Sequence, residues 1–270
     1  MTPADAGTPL SETAAAPPPA AAPRKARAWS TLLALAGVVL FWWLASLPSV
    51  GGRPLIAGPL STFTALREAG ATLWLDLLAT FGRAAVGLAL GTLVGVVAGL
   101  AVAAVARAAP AFEAVLDVAR SIPPVVWLPI FLLGLGYSES ARVATIAAGV
   151  AVIMAVAVTT AVHAPRSVRA EMLLVAGAGW WRRLAWTQPW ESLPALLVGL
   201  RVSTAMAIVV ATVTEMVAGA PHGVGARIVS AQVAGDTPQL TAAIVLVGLA
   251  GWALGLLLRA AERAAAASVG

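Results

Sequence analysis

Residues 87–100 read GLALGTLVGVVAGL, and this stretch decides the fold. Its four glycines, at positions 87, 91, 95 and 99, are spaced four residues apart, so an α-helix places them on one face. Small residues on one face allow a second helix to approach closely. The stretch lies inside an apolar run at residues 80–106, longer than the roughly 20 residues that a helix needs to cross a bilayer. We therefore predict a membrane-spanning helix that packs through its glycine face.

Five further apolar runs have the same character. Of the 270 residues, 60% are hydrophobic and 11% are charged, whereas charged residues make up about a quarter of a typical soluble domain. The sequence thus predicts an all-α membrane protein with about six transmembrane helices. They are expected at residues 29–47, 80–106, 115–136, 141–163, 194–218 and 239–259. The chain has no cysteine, which excludes disulfides and thiolate metal sites.

The basic residues indicate the orientation of these helices, because cytoplasmic loops carry an excess of Lys and Arg. With a cytoplasmic N-terminus, ten of the basic residues fall on the cytoplasmic side: Arg24, Lys25, Arg27, Arg107, Arg166, Arg169, Arg182, Arg183, Arg259 and Arg263. Four fall on the outer side: Arg53, Arg67, Arg142 and Arg227. Three near span ends are not counted: Arg83, Arg120 and Arg201. The excess favours N-in and C-in, and its spread is unlike the basic patch of a nucleic-acid-binding protein.

Three segments follow from this pattern. Residues 1–27 are rich in Ala and Pro and are expected to form a disordered cytoplasmic tail. Residues 28–79 hold the first span and an outer loop, in which STFTALREAGATLWLDLL at 61–78 has the mixture of apolar and polar residues of an interfacial helix. Residues 80–265 are expected to form a five-helix core with a cytoplasmic loop at 164–193.

Two of the spans contain residues that are unusual in a bilayer. Pro123, Pro124 and Pro129 must break or kink the third span, and the freed carbonyls then need partners or a water-lined cavity. Thr212 and Glu215 are polar residues of the fifth span, and Glu215 is expected near its outer end. We take Pro123, Pro124, Thr212 and Glu215 as candidates for a translocation path. A packing kink, and a carboxylate satisfied by a neighbour, are the alternatives.

A charged segment separates the fourth span from the fifth. Residues 168–194 read VRAEMLLVAGAGWWRRLAWTQPWESLP. Leu173, Gly177, Trp180 and Leu184 recur at helical spacing, and the glycines can divide the segment into two short helices. An apolar stripe bordered by charge is typical of a protein contact, whereas the four tryptophans equally suit a helix lying on lipid. The residues alone leave both interpretations open.

This segment resembles the cytoplasmic EAA loop of bacterial ABC-importer permeases, whose pattern is E-A-A, three residues and G. Glu171 and Gly177 have the matching separation, and LPALLVGLRVS from Leu193 resembles the start of the span that follows the loop. RSIPPVVWLPIFLLGLGYSES at 120–140, and TEMVAG with GVG within 214–225, are similar to the branch that includes nitrate, sulfonate, taurine and bicarbonate permeases.

The resemblance covers residues 75–265 and implies the type I ABC importer permease fold. It implies that the loop contacts a separate ATPase through Glu171, Met172, Leu173, Gly177, Ala178, Trp180, Trp181, Arg182 and Arg183. Met172 and Leu173 stand where the family pattern has its two alanines. The chain itself lacks a G-x-x-x-x-G-K-[ST] loop, since its one lysine is Lys25 in the tail.

The partners implied by the resemblance are an ATP-binding cassette subunit, an extracytoplasmic solute-binding protein and a second copy of the chain. Membrane lipid is a further expected partner, and nucleic acid is not. The implied role is a permease of the bacterial inner membrane that moves a small anion, of the nitrate, sulfonate or taurine kind, by alternating access. We expect no catalytic residue, no metal and no cofactor.

An ion- or proton-coupled secondary transporter is the alternative function. Such proteins often hold several intramembrane carboxylates or histidines, and here Glu215 is the strong candidate. Arg201 lies 14 residues from Glu215, about 21 Å along one helix, and cannot pair with it. His163 and His222 are far apart in sequence and lack ligand spacing, so we interpret both as structural.

Overall fold

The computed structural model describes residues 24–50, 53–104, 109–163, 168–179, 182 and 188–269, so most of the predicted tail lies outside the described residues. The helices are α1 (Arg24–Ala45), α2 (Pro59–Ala104), α3 (Ala109–Ser121), α4 (Leu128–Leu135), α5 (Glu139–His163), α6 (Val168–Val175), α7 (Gln188–Ala218), α8 (Val224–Ala234) and α9 (Thr237–Val269). A 3-10 helix occupies Pro124–Trp127, and two-residue strands β1 (Ser49–Val50) and β2 (Arg53–Pro54) pair antiparallel.

Each predicted span overlaps a helix or, at residues 115–136, a bent pair of helices, and the mostly helical structure confirms the all-α membrane fold class. Among the described residues, four helices are long and apolar enough to cross a membrane: Pro59–Val102, Glu139–Val162, Ala195–Ala218 and Thr237–Ala264. A bent pair, Ala114–Ser121 with Pro124–Leu135, would make a fifth span. The helix α1 belongs to a separate unit that ends at Ala45, and its apolar part is Leu32–Ala45. The number six and the N-in orientation stay predictions.

The glycine face of α2 forms a close seam with another helix, as predicted, and the structure identifies that helix as α5. All four glycines are buried: Gly87, Gly91, Gly95 and Gly99. A Cβ atom on Gly95 would lie 2.5 Å from the carbonyl oxygen of Ala151 and 2.7 Å from Cβ of Met154. Gly99 meets Ala155 and Val158, one turn further along α5, in the same way. Glycine is therefore required at this seam because the two backbones nearly touch.

The hydrophobic core lies beside this seam, where α2, α5 and α7 meet. Ile146 and Val150 of α5 are fully buried and pack with Ala207, Ile208 and Ala211 of α7. Because these positions are four residues apart or nearly so, each helix contributes one continuous apolar face. The core holds the three helices together.

The segment predicted as an interfacial helix, residues 61–78, lies in the first half of α2. Two helical pieces meet there at a kink, where Gly70 has non-helical backbone angles (φ 52°, ψ −139°). The interfacial position of this segment stays a prediction. Leu73, Asp76 and Leu77 are buried, and Leu77 packs with residues of α8 and α9. Part of the apolar face is therefore covered by protein, whereas Phe63 and Trp74 of the same segment are 57% and 59% exposed.

The prolines of the third span bend the chain sharply, as predicted. α3 ends at Ser121, and the segment from Pro124 onward leaves it at an angle of 87°. A Cβ atom on Gly149 of α5 would lie 2.6 Å from Cβ of Pro124, so the proline at the bend packs directly against the α5 backbone. The bend is thus held by packing as well as by the missing backbone N–H groups.

Candidate functional site

The helix α6 ends in a geometry that requires glycine. The N–H of Ala178 donates to the carbonyl of Leu173 at 2.9 Å, and the N–H of Gly177 donates to the carbonyl of Leu174 at 3.0 Å, which is the Schellman pair of bonds. Gly177 has a φ of 72°, in the left-handed region that L side chains rarely adopt. The turn predicted at Gly177 is therefore confirmed, whereas its contact with an ATPase stays a prediction.

The surface of α6 is unusually apolar for an exposed helix. Met172 and Val175 are 65% and 89% exposed, and Glu171 is exposed beside them. Leu173 is half-buried. Of the remaining predicted contact residues, Arg182 is exposed and Ala178 is half-buried. Three others lie outside the described residues: Trp180, Trp181 and Arg183. Exposed apolar residues of this kind mark a surface that binds protein or lipid.

A buried polar network surrounds Glu215 of α7. The Glu215 carboxylate is fully buried and accepts three hydrogen bonds. The donors are Nη1 of Arg83 at 2.6 Å, the hydroxyl of Thr80 at 2.9 Å and the backbone N–H of Gly225 at 2.9 Å. Two helices and the start of α8 therefore meet at one carboxylate, whose burial would be costly without such partners.

Arg83 links Glu215 to a second carboxylate on α5. Its Nε and Nη2 atoms donate to Glu139 at 2.6 and 2.9 Å, and its Nη1 also donates to the carbonyl of His222 at 2.7 Å. Arg142 lies 3.2 Å from Glu139 on the next turn of α5. Because Glu139 is the first residue of α5 and α6 follows its last, the network and α6 lie at opposite ends of a 25-residue helix, about 37 Å long.

Asp76 of α2 holds the loop that precedes α8. The N–H of Gly223 donates to Asp76 Oδ1 at 3.0 Å, and Nε of Arg227 donates to Oδ2 at 2.6 Å. The N–H of Val224 donates to the hydroxyl of Thr80 at 2.9 Å. The first turn of α8 has no side-chain cap of its own, so α2 supplies acceptors to the backbone N–H groups that a helix start leaves unpaired.

A polar cavity of about 450 Å³ opens beside this loop. Asp76, Pro221, His222, Arg227 and Ser230 contribute to its lining. The side chain of His222 is 71% exposed, and its Nδ1 atom lies 3.8 Å from Asp76. The end of the bundle that carries the network therefore also presents a polar recess at its surface.

The four candidate path residues occupy different settings. Thr212 is half-buried one turn before Glu215 and donates to the carbonyl of Ile208 at 2.9 Å. Pro124 is half-buried against α5, and Pro123 is exposed. The structure joins Thr212 and Glu215 on one helix and leaves the translocation role of all four as a prediction.

Sequence reasoning missed the partner of Glu215. It excluded Arg201, and the structure agrees, because Arg201 lies 3.4 Å from Glu262 of α9. The missed partner is Arg83, which is 132 residues away in sequence. A signal was present in the sequence, since Arg83 and Glu215 each lie near the predicted outer end of an apolar run. A charge inside a span needs a partner.

Long apolar helices, a glycine seam and a buried ion-pair network define a polytopic membrane protein, and its fold matches solved transporters. The chain is similar to the MetNI methionine ABC transporter in inward facing conformations, with a TM-score of 0.65 and 18% identity over 73% of this chain and 98% of that chain. A second crystal form gives a TM-score of 0.60 and 17% identity over 78% and 99% of the two chains. These likenesses confirm the type I ABC importer permease fold.

Residues 91–269 match the family described as binding-protein-dependent transport system inner membrane component. The match covers more than half of the chain, so this protein belongs to that family, as the resemblance predicted, and is a multi-pass protein of the inner membrane.

Two relatives match over most of their length. The taurine transport system permease protein TauC of Escherichia coli (strain K12) is 25% identical over 193 residues, 72% of this chain and 70% of that protein. A Bacillus subtilis (strain 168) protein with the provisional name aliphatic sulfonates transport permease protein SsuC is 24% identical over 247 residues, 89% of this chain and 88% of that protein. Both names describe permeases, which agrees with the family assignment.

Proposed function

We propose that this chain carries a small anionic solute into the cell as the membrane subunit of an ATP-driven importer. The observation that carries the proposal is the exposed apolar helix α6 with its glycine cap, at the opposite end of α5 from the polar network. A transport subunit that receives energy from another polypeptide needs such a contact surface outside the bilayer. The family match supports the same role.

The contact with the ATPase is formed by α6 and the turn after it. Met172 and Val175 supply apolar surface, and Glu171 and Arg182 supply charge at its border. Side chains of this mixture suit a groove in an ATP-binding cassette subunit, because an apolar centre with a charged rim is the usual anatomy of a protein interface. Gly177 sets the direction in which the chain leaves the contact.

Alternating access follows from two such contacts in a dimer of this chain. When ATP draws two ATPase subunits together, the docked loops move with them and the spans exchange an outward opening for an inward one. ATP shifts the equilibrium between the outward and inward states because it binds to one of them better than to the other. No bond is made or broken by this chain in that cycle, so the proposal requires positioning and packing of its residues and no catalytic group.

The ion pairs support the predicted directions of the spans relative to one another. Asp76–Arg227 and Arg83–Glu139 join residues that the predicted spans place on one side, in the outer loops or at outer span ends. Arg201–Glu262 joins residues at cytoplasmic span ends. A wrong orientation of one span relative to another would have paired residues from opposite sides.

The proposed substrate is an anion of the sulfonate class, such as taurine or a related compound. The names of the two relatives carry this part of the proposal. A separate extracytoplasmic protein would deliver the solute. The polar recess beside Asp76 and His222 is our candidate for part of the surface that binds this protein.

The secondary-transporter alternative is less well supported. A proton-coupled carboxylate must meet water during the cycle, whereas Glu215 is fully buried and bound by Arg83, Thr80 and the N–H of Gly225. The comparisons also favour a subunit of a binding-protein-dependent system.

Co-purification of the ATPase tests the proposal. Tagged wild-type protein, Gly177→Ala and Gly179→Ala are extracted from the native host in mild detergent at matched expression. Both glycines are exposed with open space around them, but of the two only Gly177 has a positive φ. A non-glycine residue there costs about 1–2 kcal/mol, so we expect about tenfold less ATPase subunit with Gly177→Ala and wild-type recovery with Gly179→Ala. Absence of an ATPase from the wild-type sample after crosslinking would refute the importer.

A further inference from the structure

A second cavity, of about 640 Å³, lies as a groove between α7 and α9. Its walls are mostly apolar and include Val202, Met206, Val209 and Trp252. Val202 and Val209 are about half exposed, and Trp252 is 61% exposed, so the groove faces outward from this chain. In a membrane protein such a surface is covered by lipid, by a second copy or by another subunit.

Two arginines stand at one end of the groove. Arg201 begins the α7 wall and Arg259 ends the α9 wall. Arg201 lies 3.4 Å from Glu262, which is close enough for an ion pair, but Glu262 Oε1 makes no hydrogen bond, so the contact is a loose one. Arg259 has no ion pair among the residues that the structure describes. Two guanidinium groups beside one carboxylate leave an excess of one positive charge at this end.

The length of the groove matches one leaflet of a bilayer. Its lining residues extend from Arg201 to Val209 on α7 and from Gly251 to Arg259 on α9. The helices run antiparallel there, since Arg201 lies 3.4 Å from Glu262 at one end, and Gly251 lies beside Ile208 at the other, where an added Cβ atom would lie 3.8 Å from its Cδ1. Eight residues of helix rise about 12 Å, and half of the hydrocarbon core is about 15 Å. The groove therefore begins at charged groups and ends near the middle of the membrane.

We propose that this groove binds one anionic phospholipid, with its phosphodiester between Arg201 and Arg259 and one acyl chain along Val202, Met206 and Trp252. Arginine suits this role because its planar donors match phosphate oxygens, and basic pockets between membrane helices on the cytoplasmic side are typical sites for acidic headgroups. The inference requires that α7 and α9 cross the membrane, and it does not depend on the transport function.

Charge favours a lipid over a second copy as the occupant. A two-fold axis through the groove would bring Arg201 and Arg259 of both copies together, so that four guanidinium groups would surround two Glu262 carboxylates. Like charges at such a contact oppose association. A phosphatidylglycerol headgroup supplies the one net negative charge that the single groove lacks, whereas the choline of phosphatidylcholine cancels the charge of its phosphodiester.

Native mass spectrometry of the full chain, with the subunits that co-purify, tests the site. Dioleoyl phosphatidylglycerol and dioleoyl phosphatidylcholine are added in equal amounts, and the retained lipid is counted. One Arg near an acidic headgroup is worth a factor of about five, so the double variant Arg201→Gln/Arg259→Gln should lose about 25-fold in phosphatidylglycerol preference. The matched control is Arg263→Gln, an exposed arginine one turn beyond Arg259, and it should retain the wild-type preference.

A second variant separates the acyl chain from the headgroup. Gly255 lines the groove with open space beside it, so Gly255→Phe should fill the groove, fold normally and reduce retention of both lipids. Equal retention of the two lipids by the wild type, or an unchanged preference in the double arginine variant, would overturn the proposal. So would a Gly255→Phe protein that dissociates into single copies while its bound lipid is unchanged, because a second copy would then occupy the groove.

Discussion

The ion pair between Arg83 and Glu215 should contribute unequally to stability when each partner is removed. In Arg83→Gln, the Glu215 carboxylate stays fully buried and keeps only two neutral donors, the Thr80 hydroxyl and the Gly225 N–H. In Glu215→Gln, the arginine keeps Glu139 at 2.6 Å and the carbonyl of His222 at 2.7 Å. We therefore expect the arginine variant to be the less stable of the two.

The magnitudes follow from this asymmetry. Leaving an uncompensated buried charge costs about 3–5 kcal/mol, and Arg83→Gln belongs at the upper end because the side chain of Glu215 is 0% exposed. Glu215→Gln removes hydrogen bonds to charge without leaving a buried charge unpaired, at a cost of about 1.5–3 kcal/mol. The double variant removes both charges, so it should recover about 1–2 kcal/mol relative to Arg83→Gln.

Unfolding by sodium dodecyl sulfate in mild-detergent micelles, followed by far-ultraviolet circular dichroism, measures these differences in the free energy of unfolding. Asp117→Asn is the matched control, because Asp117 lies 3.0 Å from Arg120 in a pair whose side chains are 61% and 58% exposed. Its cost should stay below about 1 kcal/mol. If Arg83→Gln does not fold, the single Glu215→Gln variant and the double variant still give the comparison with the control.

Two outcomes would refute this reasoning. A larger loss for Glu215→Gln than for Arg83→Gln would mean that Glu139 cannot hold the arginine. Losses as small as that of Asp117→Asn would mean that water reaches the pair and screens it. In the second case Glu215 would lie on a wet surface, and the proton-coupled alternative would regain support.

Two glycine substitutions are predicted to act by different routes. Gly95→Ala should lower the free energy of unfolding by about 1–3 kcal/mol in the same titration, because the added Cβ atom meets the α5 backbone. The control Gly248→Ala has open space around its Cβ atom and should change the free energy of unfolding by less than about 0.5 kcal/mol. Equal effects of the two substitutions would contradict the close contact between α2 and α5. Gly223 has a φ of 147°, and the Cβ atom of Gly223→Ala would lie 2.5 Å from the Glu215 carboxylate. The substitution should therefore loosen this loop, so that hydrogen exchange rises in residues 219–223 and stays constant in residues 168–179. A uniform rise would contradict a local role for the loop.

The positions of the helices could be predicted because bilayer thickness imposes a minimum length on each apolar run. The glycine seam could also be predicted, since a four-residue spacing fixes the face before the partner is known. The partner helix α5 could not, because its contact residues Ile146, Val150, Met154 and Val158 are ordinary apolar residues that would suit lipid equally well. In a membrane, apolarity does not distinguish a buried face from a lipid-facing one.

The same ambiguity applies to residues 61–78. Leu73, Trp74 and Leu77 give the segment an apolar side that suits the membrane interface, and only tertiary packing shows that Leu73 and Leu77 are buried while Trp74 is 59% exposed. Asp76 carried a usable signal. A carboxylate just before a long apolar run needs a cation, and Arg227 was assigned to the same side of the membrane by the charge count.

The distribution of tight and open contacts limits how a transport cycle can move this chain. Separating α2 from α7 and α8 would break at least the Arg83–Glu215 and Asp76–Arg227 bonds, which at about 1.5–3 kcal/mol each sum to about 3–6 kcal/mol before any loss at the glycine seam. Alternative states of a working protein differ by only a few kcal/mol. The proposed switch should therefore carry α2, α5, α7 and α8 as one body. Among the described residues, the turn at Gly177 is a place left for motion, because nothing lies within 4 Å of a Cβ atom built there, whereas the 87° bend packs against Gly149. Gly177 is also one of the glycines that distinguished the charged segment in the sequence.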